Sequence, residues 1–133
     1  KVDVAPGFDP TIPGNANALG QVVLNLLQNA QHAIGRGGVV TVRIEPFFEE
    51  DECWAAMRVR DDGPGIPPDV LPRIFDPFFT TKSRERGTGL GLSLSRQIVF
   101  NHGGRMWARS EPGSGAEFTL VLPQTVREGE QTP

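Results

Sequence analysis

Two asparagines one helical turn apart, Asn25 and Asn29, are residues whose type and spacing could do chemistry. They interrupt an otherwise apolar segment, residues 21–34, which reads QVVLNLLQNAQHAI. Asn is a poor helix former because its side chain competes for nearby backbone groups, so two in one helix need a reason. Either both amides hydrogen-bond a neighbouring loop, or their carbonyl oxygens face a hard cation or a ligand's polar groups. Oxygen ligands suit Mg²⁺, which keeps several waters and takes few protein ligands.

A glycine-containing segment after a predicted strand, DDGPGIP at residues 61–67, is the second feature with chemical potential. Gly63 and Gly65 allow the backbone to pass close to a flat ligand, and the carboxylate of Asp61 can accept a hydrogen bond from an exocyclic amine. The alternative is a tight turn with an acidic start.

A second glycine cluster, RGTGLGLSLS at residues 86–95, leads directly into a predicted helix. The spacing of Gly87, Gly89 and Gly91 is not the GxGxxG dinucleotide fingerprint, and the chain contains no GxxxxGK[ST] phosphate loop. Glycines at a helix start still expose backbone N–H groups at its positive end, which is a general anion site. The alternative is that the small residues Gly91 and Ser95 allow close helix packing.

Between the two clusters lies an irregular segment, IFDPFFTTKSRERG, which combines aromatic and basic residues. These are Phe75, Phe78, Phe79, Lys82, Arg84 and Arg86. One interpretation is a mobile lid whose aromatic end packs down and whose basic end meets phosphate. The other is a solvated run of charge.

The elements that must position these residues follow from apolar spacing and from the glycines and prolines between segments. The first part predicts an edge strand, KVDV, and then a helix that is capped by Asn15 or Asn17 and ends at Gly35. The segments VVTVRIEP and CWAAMRVRD predict two strands around the acidic turn FFEEDE. In DVLPRIF we expect a short helix at most, because Pro72 interrupts it.

The second half predicts a long helix from Leu90 to His102, stopped by Gly103 and Gly104. Two strands, GRMWARS and AEFTLVLP, follow around the turn EPGSG. The order of strand, helix, two strands, loop, helix and two strands indicates the α+β class. We therefore expect a two-layer sandwich with helices on one face of a mixed sheet.

The apolar residues of the first helix form one stripe at about 100° per residue. They are Leu19, Val22, Val23, Leu26, Leu27, Ala30 and Ile34. Asn29 falls at the edge of this stripe and Asn25 just outside it, on the same side. The two asparagines are therefore predicted to line a seam between core and exterior.

Composition limits the possible function classes. A chain of 133 residues suffices for one domain with one core, which we place at residues 1–123, followed by a polar tail at 124–133. The net charge of −3 argues against bulk nucleic-acid binding. The single cysteine, Cys53, excludes an internal disulfide and fits a cytosolic setting. No apolar run approaches the roughly 20 residues of a membrane span. The pattern is already under way at Lys1, so we expect a piece of a longer protein.

Five segments occur in an order that resembles a known family: NLLQNA, DDGPGIP, IFDPFFTTK, GTGLGL and GSGAEF. They are similar to the N, G1, F, G2 and G3 boxes of sensor histidine kinases. That family shares its ATP-binding (Bergerat) fold with DNA gyrase, mismatch-repair ATPases and large heat-shock chaperones. The resemblance runs from the first strand to Pro123, and PFFTTK resembles the nitrogen-regulator type in particular.

The resemblance implies a role for each matching residue. Asn29 would bind Mg²⁺ through its side-chain oxygen, with Asn25 beside it, directly or through water. Asp61 would accept from the adenine amino group. The base pocket would be shaped by Gly63, Gly65 and Ile66. The residues implied to hold the phosphates are Gly87, Thr88, Gly89, Leu90, Gly91 and Leu92, with lid contacts from Lys82 and Arg86. Asn25, Asn29 and Lys82 would form the catalytic set, with ATP and Mg²⁺ as cofactors and ADP as product.

Two positions depart from the pattern of the wider family. Hydrolysing relatives carry a water-activating Glu where this chain has Asn25, and an amide is no general base at neutral pH. The resemblance therefore favours phosphoryl transfer over hydrolysis. Relatives often carry Ser or Thr where this chain has Ala116, so a water or Thr119 would have to replace that hydroxyl. His32 lies near the polar seam and is interpreted as a surface residue, with approach to the site as the alternative. His102 lies at the C-terminal end of the second helix, where a cation is favourable, and is interpreted as structural.

We therefore expect the catalytic domain of a two-component sensor histidine kinase, which transfers the γ-phosphoryl group of ATP to a histidine on a separate upstream dimerisation domain. The fragment alone should barely autophosphorylate. Expected partners are that domain and a response regulator, with no direct nucleic-acid contact. The parent would be a homodimer and the fragment monomeric. We expect a cytoplasmic location, possibly as part of a membrane-bound sensor. The alternatives are a self-contained ATPase or anti-sigma-type serine kinase of the same fold, and a non-catalytic nucleotide-sensing module.

Overall fold

A computed structural model describes residues 1–77 and 91–124 of the chain. In chain order the elements are β1 (Val2–Val4), α1 (Ala16–Ile34), β2 (Val40–Glu49), β3 (Glu52–Asp61), a 3₁₀ helix (Leu71–Arg73), α2 (Gly91–Asn101), β4 (Arg105–Ser110) and β5 (Ala116–Pro123). Every predicted element that falls on described residues is present. The described part of the chain contains no helix with the length and apolarity needed to cross a membrane.

The five strands form one sheet in the order β1-β2-β3-β5-β4. Strand β1 runs parallel to β2, and the other neighbouring pairs are antiparallel. The sheet is therefore mixed, with β1 and β4 at its edges. Both helices contact one face of it, as the predicted two-layer sandwich requires.

The β2–β3 hairpin is longer than the sequence predicts. The acidic turn was expected over FFEEDE, but the strands continue through the two phenylalanines and leave only Glu50 and Asp51 in the turn, with φ of 50° and 65°. A two-residue turn with positive φ at both positions matches the right-handed twist of the strands. Phe47 continues the strand because its ring packs against that of Trp107, 6.0 Å away between centroids, on the face that carries no helix.

The core lies between the helices and the sheet. Val42, Val59 and Phe118 stand opposite one another on three neighbouring strands and are all buried. Val22 and Leu26 of α1 lie above them with 1% of their surface exposed, as the predicted stripe requires. Full burial of such a side chain contributes roughly 1.5–3 kcal/mol, so this stripe fixes which side of α1 faces the sheet.

The ends of α1 are as predicted. The Asn15 side chain accepts from the N–H of Ala18 at 3.0 Å, and Gly35 adopts a positive φ of 58° while its N–H returns to the carbonyl of Gln31. These contacts satisfy two of the backbone groups that a helix end leaves without intrahelical partners.

His102 connects the end of α2 to the start of α1. Its Nδ1 lies 2.7 Å from the carbonyl of Ile98, and its Nε2 accepts from the N–H of Asn15 at 3.0 Å. Since a carbonyl can only accept, Nδ1 carries the proton and Nε2 presents a lone pair. The ring is thereby held between the end of α2 and the start of α1, so the structural role predicted for His102 is confirmed.

Candidate functional site

Asp61 is the last residue of β3 and lies between Val40 of β2 and Ala116 of β5 in the sheet register. A strand end flanked on both sides is well covered, so the carboxyl side chain is 2% exposed. Its Oδ1 accepts from the N–H of Gly63 at 2.9 Å, which folds the chain sharply after the strand. Asp61 was a predicted ligand contact, and it lies at the inner end of a tight loop.

The second carboxylate oxygen of Asp61 is the most informative atom of the site. Within residues 1–77 and 91–124, the bond from Gly63 is the one recorded for this carboxylate, and it uses Oδ1. No buried side-chain nitrogen or oxygen of the described residues lacks a partner, so Oδ2, for which no donor is seen, must be reachable from outside the protein and is suited to a donor supplied by a ligand. An exocyclic amine meets that requirement.

The glycines of the loop have a different immediate use from the one predicted. A Cβ on Gly63 would stand 2.7 Å from the carbonyl oxygen of Ala33 at the end of α1. Gly65 has φ of 81°, and its Cβ would collide with the carbonyl oxygen of Glu111. The two glycines thus let the loop pack against α1 on one side and the β4–β5 turn on the other. Close approach to a flat ligand stays a prediction.

Asn25 joins α1 to the start of α2. Its Nδ2 donates to the carbonyl of Gly91 at 3.3 Å and to Oγ of Ser95 at 3.0 Å, while its Oδ1 accepts from Nε2 of Gln21 at 2.9 Å. The carbonyl of Gly91 can only accept, so the orientation of the amide is fixed. Of the two interpretations offered from the sequence, hydrogen bonding to a neighbouring segment is the one observed for Asn25. A metal ion would have to share Oδ1 with Gln21.

The small residues of α2 differ in what they contribute. Ser95 is fully buried and was missed as a functional partner, because its contact with Asn25 spans 70 positions of the chain. Gly91 is not required for close packing, since a Cβ there would lie at an ordinary 3.9 Å from Cγ of Asn25. The contact of Gly91 with α1 is made by its backbone carbonyl, which accepts from Nδ2 of Asn25. Leu92 is half-buried and packs against the core.

Asn29 lies between the two places where α1 meets the rest of the site. Asn25, one turn earlier, contacts α2, and Ala33, one turn later, contacts the loop at Gly63. Asn29 is half-buried at this seam, as predicted from the helix face. Its predicted role as a metal ligand stays a prediction.

Several predicted residues lie outside the described ranges. They are Phe78, Phe79, Lys82, Arg84, Arg86, Gly87, Thr88, Gly89 and Leu90. The lid and the phosphate contacts of the second glycine cluster therefore stay predictions. Phe75 is described: it packs edge-on against Phe118 with centroids 6.3 Å apart, and the guanidinium of Arg96 lies 4.7 Å from its ring centroid. The expected aromatic anchor is present at that position.

Thr119 cannot replace the hydroxyl that Ala116 lacks. It points to the face of the sheet opposite the helices, where its Oγ1 accepts from Arg58 at 3.0 Å. The Thr119 alternative is wrong because residues three apart on a strand point to opposite faces, and the other alternative, a water, stays a prediction. Ser110, opposite Ala116 on β4, is the hydroxyl on the correct face, and no local pattern in the sequence predicts it.

The donor set at this site consists mainly of amide and carboxylate oxygens. Among the described residues, no group of three or more His, Cys, Asp and Glu is placed to hold a metal ion. Amide oxygen on Asn29 nevertheless fits Mg²⁺, which is commonly held by one or two protein ligands together with substrate phosphates.

A cavity of about 580 Å³ lies elsewhere, between α2, the segment at Phe75 and Pro77, and β4. Phe75, Phe100 and Trp107 are among its lining residues, and none of the predicted nucleotide- or metal-site residues within the described ranges is. We place the site at Asp61 because the buried carboxylate supplies chemistry that the cavity does not.

The known proteins that this chain resembles in sequence and in structure point to one family. Residues 14–126 match the family described as histidine kinase-, DNA gyrase B-, and HSP90-like ATPase. The two-component sensor PprA of Pseudomonas aeruginosa is 44% identical over 122 residues, which make up 90% of this chain and 13% of that protein. The chain therefore spans a small part of the length of this relative.

Solved structures agree in fold. The catalytic domain of histidine kinase ThkA is similar with a TM-score of 0.78 and 33% identity, over 92% of this chain and 77% of that one. Full-length ShkA, solved in complex with AMPPNP, is similar with a TM-score of 0.74 and 30% identity, over 92% of this chain and 26% of that one.

Proposed function

The chain belongs to the family of histidine kinase-, DNA gyrase B-, and HSP90-like ATPases, as a catalytic domain of the histidine kinase type, and we propose that it binds ATP with Mg²⁺ and transfers the γ-phosphoryl group to a histidine. The acceptor histidine would lie on a separate dimerisation domain of the parent protein, which would pass the group to a response regulator. The name of PprA, a two-component sensor, supports this arrangement. A dimeric parent, a monomeric fragment, a cytoplasmic location and the nitrogen-regulator subtype belong to the same proposal.

The observation that carries the proposal is the buried carboxylate of Asp61 with Oδ2 available to a donor. The 6-amino group of adenine is such a donor, whereas guanine presents an acceptor at that position. ShkA in complex with AMPPNP, an adenine nucleotide, supports the same ligand class for this fold. Ile66 and Gly65 would shape the pocket beside the base.

Asn29 would hold Mg²⁺ through its side-chain oxygen. When bound, the ion would neutralise charge on the phosphates and orient them. The negative charge of the phosphates would also be stabilised by backbone N–H groups in residues 87–92 and by the cations of Lys82 and Arg86. Phosphoryl transfer depends mainly on such positioning and electrostatic stabilisation. Asn25 as a second metal contact stays a prediction.

Asn25 also bears on the choice between transfer and hydrolysis. An amide offers no general base, and its nitrogen donates to Gly91 and Ser95. No group at this position would activate a water against the γ-phosphate. The site therefore favours a domain that keeps ATP until an acceptor histidine arrives, over a self-contained ATPase.

The proposal is tested in two steps. ADP and ATP are first titrated into the chain with and without Mg²⁺, and saturable binding is expected. The chain is then mixed with the separately purified upstream histidine domain of its parent and radiolabelled ATP. Acid-labile phosphohistidine should form on that domain and depend on the chain. Absence of nucleotide binding would overturn the proposal. Steady ATP hydrolysis without an acceptor would instead favour a self-contained ATPase. Nucleotide binding without phosphoryl transfer would favour a non-catalytic sensing module.

Replacing Asn29 with alanine should reduce the gain in ATP affinity that Mg²⁺ confers by at least about tenfold, the scale on which even outer partners of a metal site act. Titrations with and without Mg²⁺ measure this gain directly. Gln28→Ala is the matched control, because Gln28 is an exposed neighbour on the same helix. An unchanged Mg²⁺ dependence in Asn29→Ala would remove Asn29 from the metal site.

A further inference from the structure

Ser110, the last residue of β4, makes two hydrogen bonds that connect separate segments. Its Oγ accepts from the backbone N–H of Ile66 at 2.7 Å and donates to the carbonyl of Gly115 at 2.8 Å. The hydroxyl thus uses its one proton and one lone pair on two backbone groups far apart in the chain. Ser110 itself is half-buried.

These bonds join the glycine loop to the β4–β5 turn. Ala116 stands opposite Ser110 on one side and opposite Asp61 on the other, so the hydroxyl is two strands from the buried carboxylate on the same face of the sheet. A third bond, from the N–H of Gly113 to the carbonyl of Pro64 at 2.7 Å, holds the same two segments together.

The loop and the turn are in close contact. A Cβ on Gly65 would lie 3.1 Å from Oγ of Ser110, and a Cβ on Gly115 would collide with the carbonyl oxygen of Asp61. There is little room for the loop to move toward the turn. Motion away from it is opposed by the bond from Ile66 to Ser110 and by that from Gly113 to Pro64.

We propose that Ser110 is a positioning residue that sets selectivity for adenine over guanine, by fixing the loop at Gly65 and Ile66 relative to Oδ2 of Asp61. The inference rests on the proposed function and adds to it a residue that touches the loop rather than the nucleotide. A single carboxylate oxygen discriminates an amino group from a carbonyl only when the base is held in one place. A loosened loop lets guanine shift away from the repulsive oxygen.

Ser110→Ala should weaken ADP binding about tenfold, since a partly buried N–H on Ile66 loses its partner. The affinity for GDP should fall less, so the ratio of ADP affinity to GDP affinity decreases. Inorganic triphosphate with Mg²⁺, which has no base, should bind as to the unmodified chain. A defect that only loosened the whole fold would weaken all three ligands together.

Three further variants make the test specific. Ser110→Thr keeps the hydroxyl and should restore much of the selectivity. Ser110→Cys keeps a similar volume but is a weak donor and acceptor, so it should behave like alanine and carries the test if Ser110→Ala does not fold. Ser114→Ala, at an exposed serine of the same turn, should bind like the unmodified chain.

The outcomes separate this inference from the proposed function. If the unmodified chain binds no adenine nucleotide, both fail. If it prefers ADP to GDP and the Ala and Cys variants keep the same ratio, the role of Ser110 is overturned while the proposed function stands. A lower ratio of ADP to GDP affinity in Ser110→Ala and Ser110→Cys, with recovery of the ratio in Ser110→Thr, supports the inference.

Discussion

Replacing Asp61 with asparagine is expected to weaken ADP binding roughly 30- to 300-fold, equivalent to about 2–3.4 kcal/mol. The amide oxygen of the variant can still accept from the N–H of Gly63, as Oδ1 does now at 2.9 Å. That contact directs the new NH₂ group to the place of Oδ2, where it faces the amino group of adenine. Two donors then oppose each other at a residue that is only 2% exposed, so the lost hydrogen bond is poorly replaced by water.

Isothermal titration with ADP and GDP measures this effect, and thermal unfolding shows whether the fold is retained. The same variant should bind GDP better than before, because guanine presents a carbonyl to the new NH₂ group. Asp62→Asn is the matched control: Asp62 is exposed, and its Oδ1 accepts from the N–H of Val39 at 2.8 Å, outside the loop. Equal ADP affinity in Asp61→Asn and Asp62→Asn would remove Asp61 from the base site.

Local chemistry made the first helix and the inner loop predictable. The cap at Asn15, the end at Gly35 and the stripe around Leu26 follow from short-range rules, and all three are confirmed. Asp61 was identified because acidic residues before glycines at a strand end are readable from the sequence. The fold class followed from the order of the elements.

Tertiary partners explain what the sequence did not reveal. The bond between Ile66 and Ser110 spans 44 positions, and the one between Asn25 and Ser95 spans 70. No periodicity encodes such pairs. The partner of His102 could not be predicted for the same reason, since that contact comes from Asn15, 87 positions earlier.

The two asparagines of α1 are likewise distinguished by their tertiary neighbours rather than by local sequence. Both were predicted to lie on a seam, and both are half-buried. Helix geometry alone could not distinguish them, because residues four apart share a face. The neighbours do: the amide of Asn25 is held by Gln21 and by the first turns of α2, so its first use is to join two helices.

Asn25→Asp should therefore lower the free energy of unfolding by about 2–3 kcal/mol, because a carboxylate oxygen replaces the NH₂ group that donates to Gly91. That oxygen then faces a carbonyl oxygen in a half-buried position. Urea unfolding of the chain without nucleotide measures the change. Asn17→Asp is the matched control: Asn17 is exposed in the first turn of the same helix, where a negative charge is favourable, so its stability should be unchanged or slightly higher.

A double-mutant cycle with Asn25→Ala and Ser95→Ala measures the interaction between these two side chains without introducing a charge. Ser95 is fully buried, and Nδ2 of Asn25 is the donor recorded for its hydroxyl among the described residues. If the two side chains act on each other, the changes for Asn25→Ala and Ser95→Ala will fall short of additivity in the double variant by about 0.5–1.5 kcal/mol. Additive changes would mean that Asn25 and Ser95 contribute independently. The start of α2 would then be held by packing, and Asn25 would be released for the metal site beside Asn29.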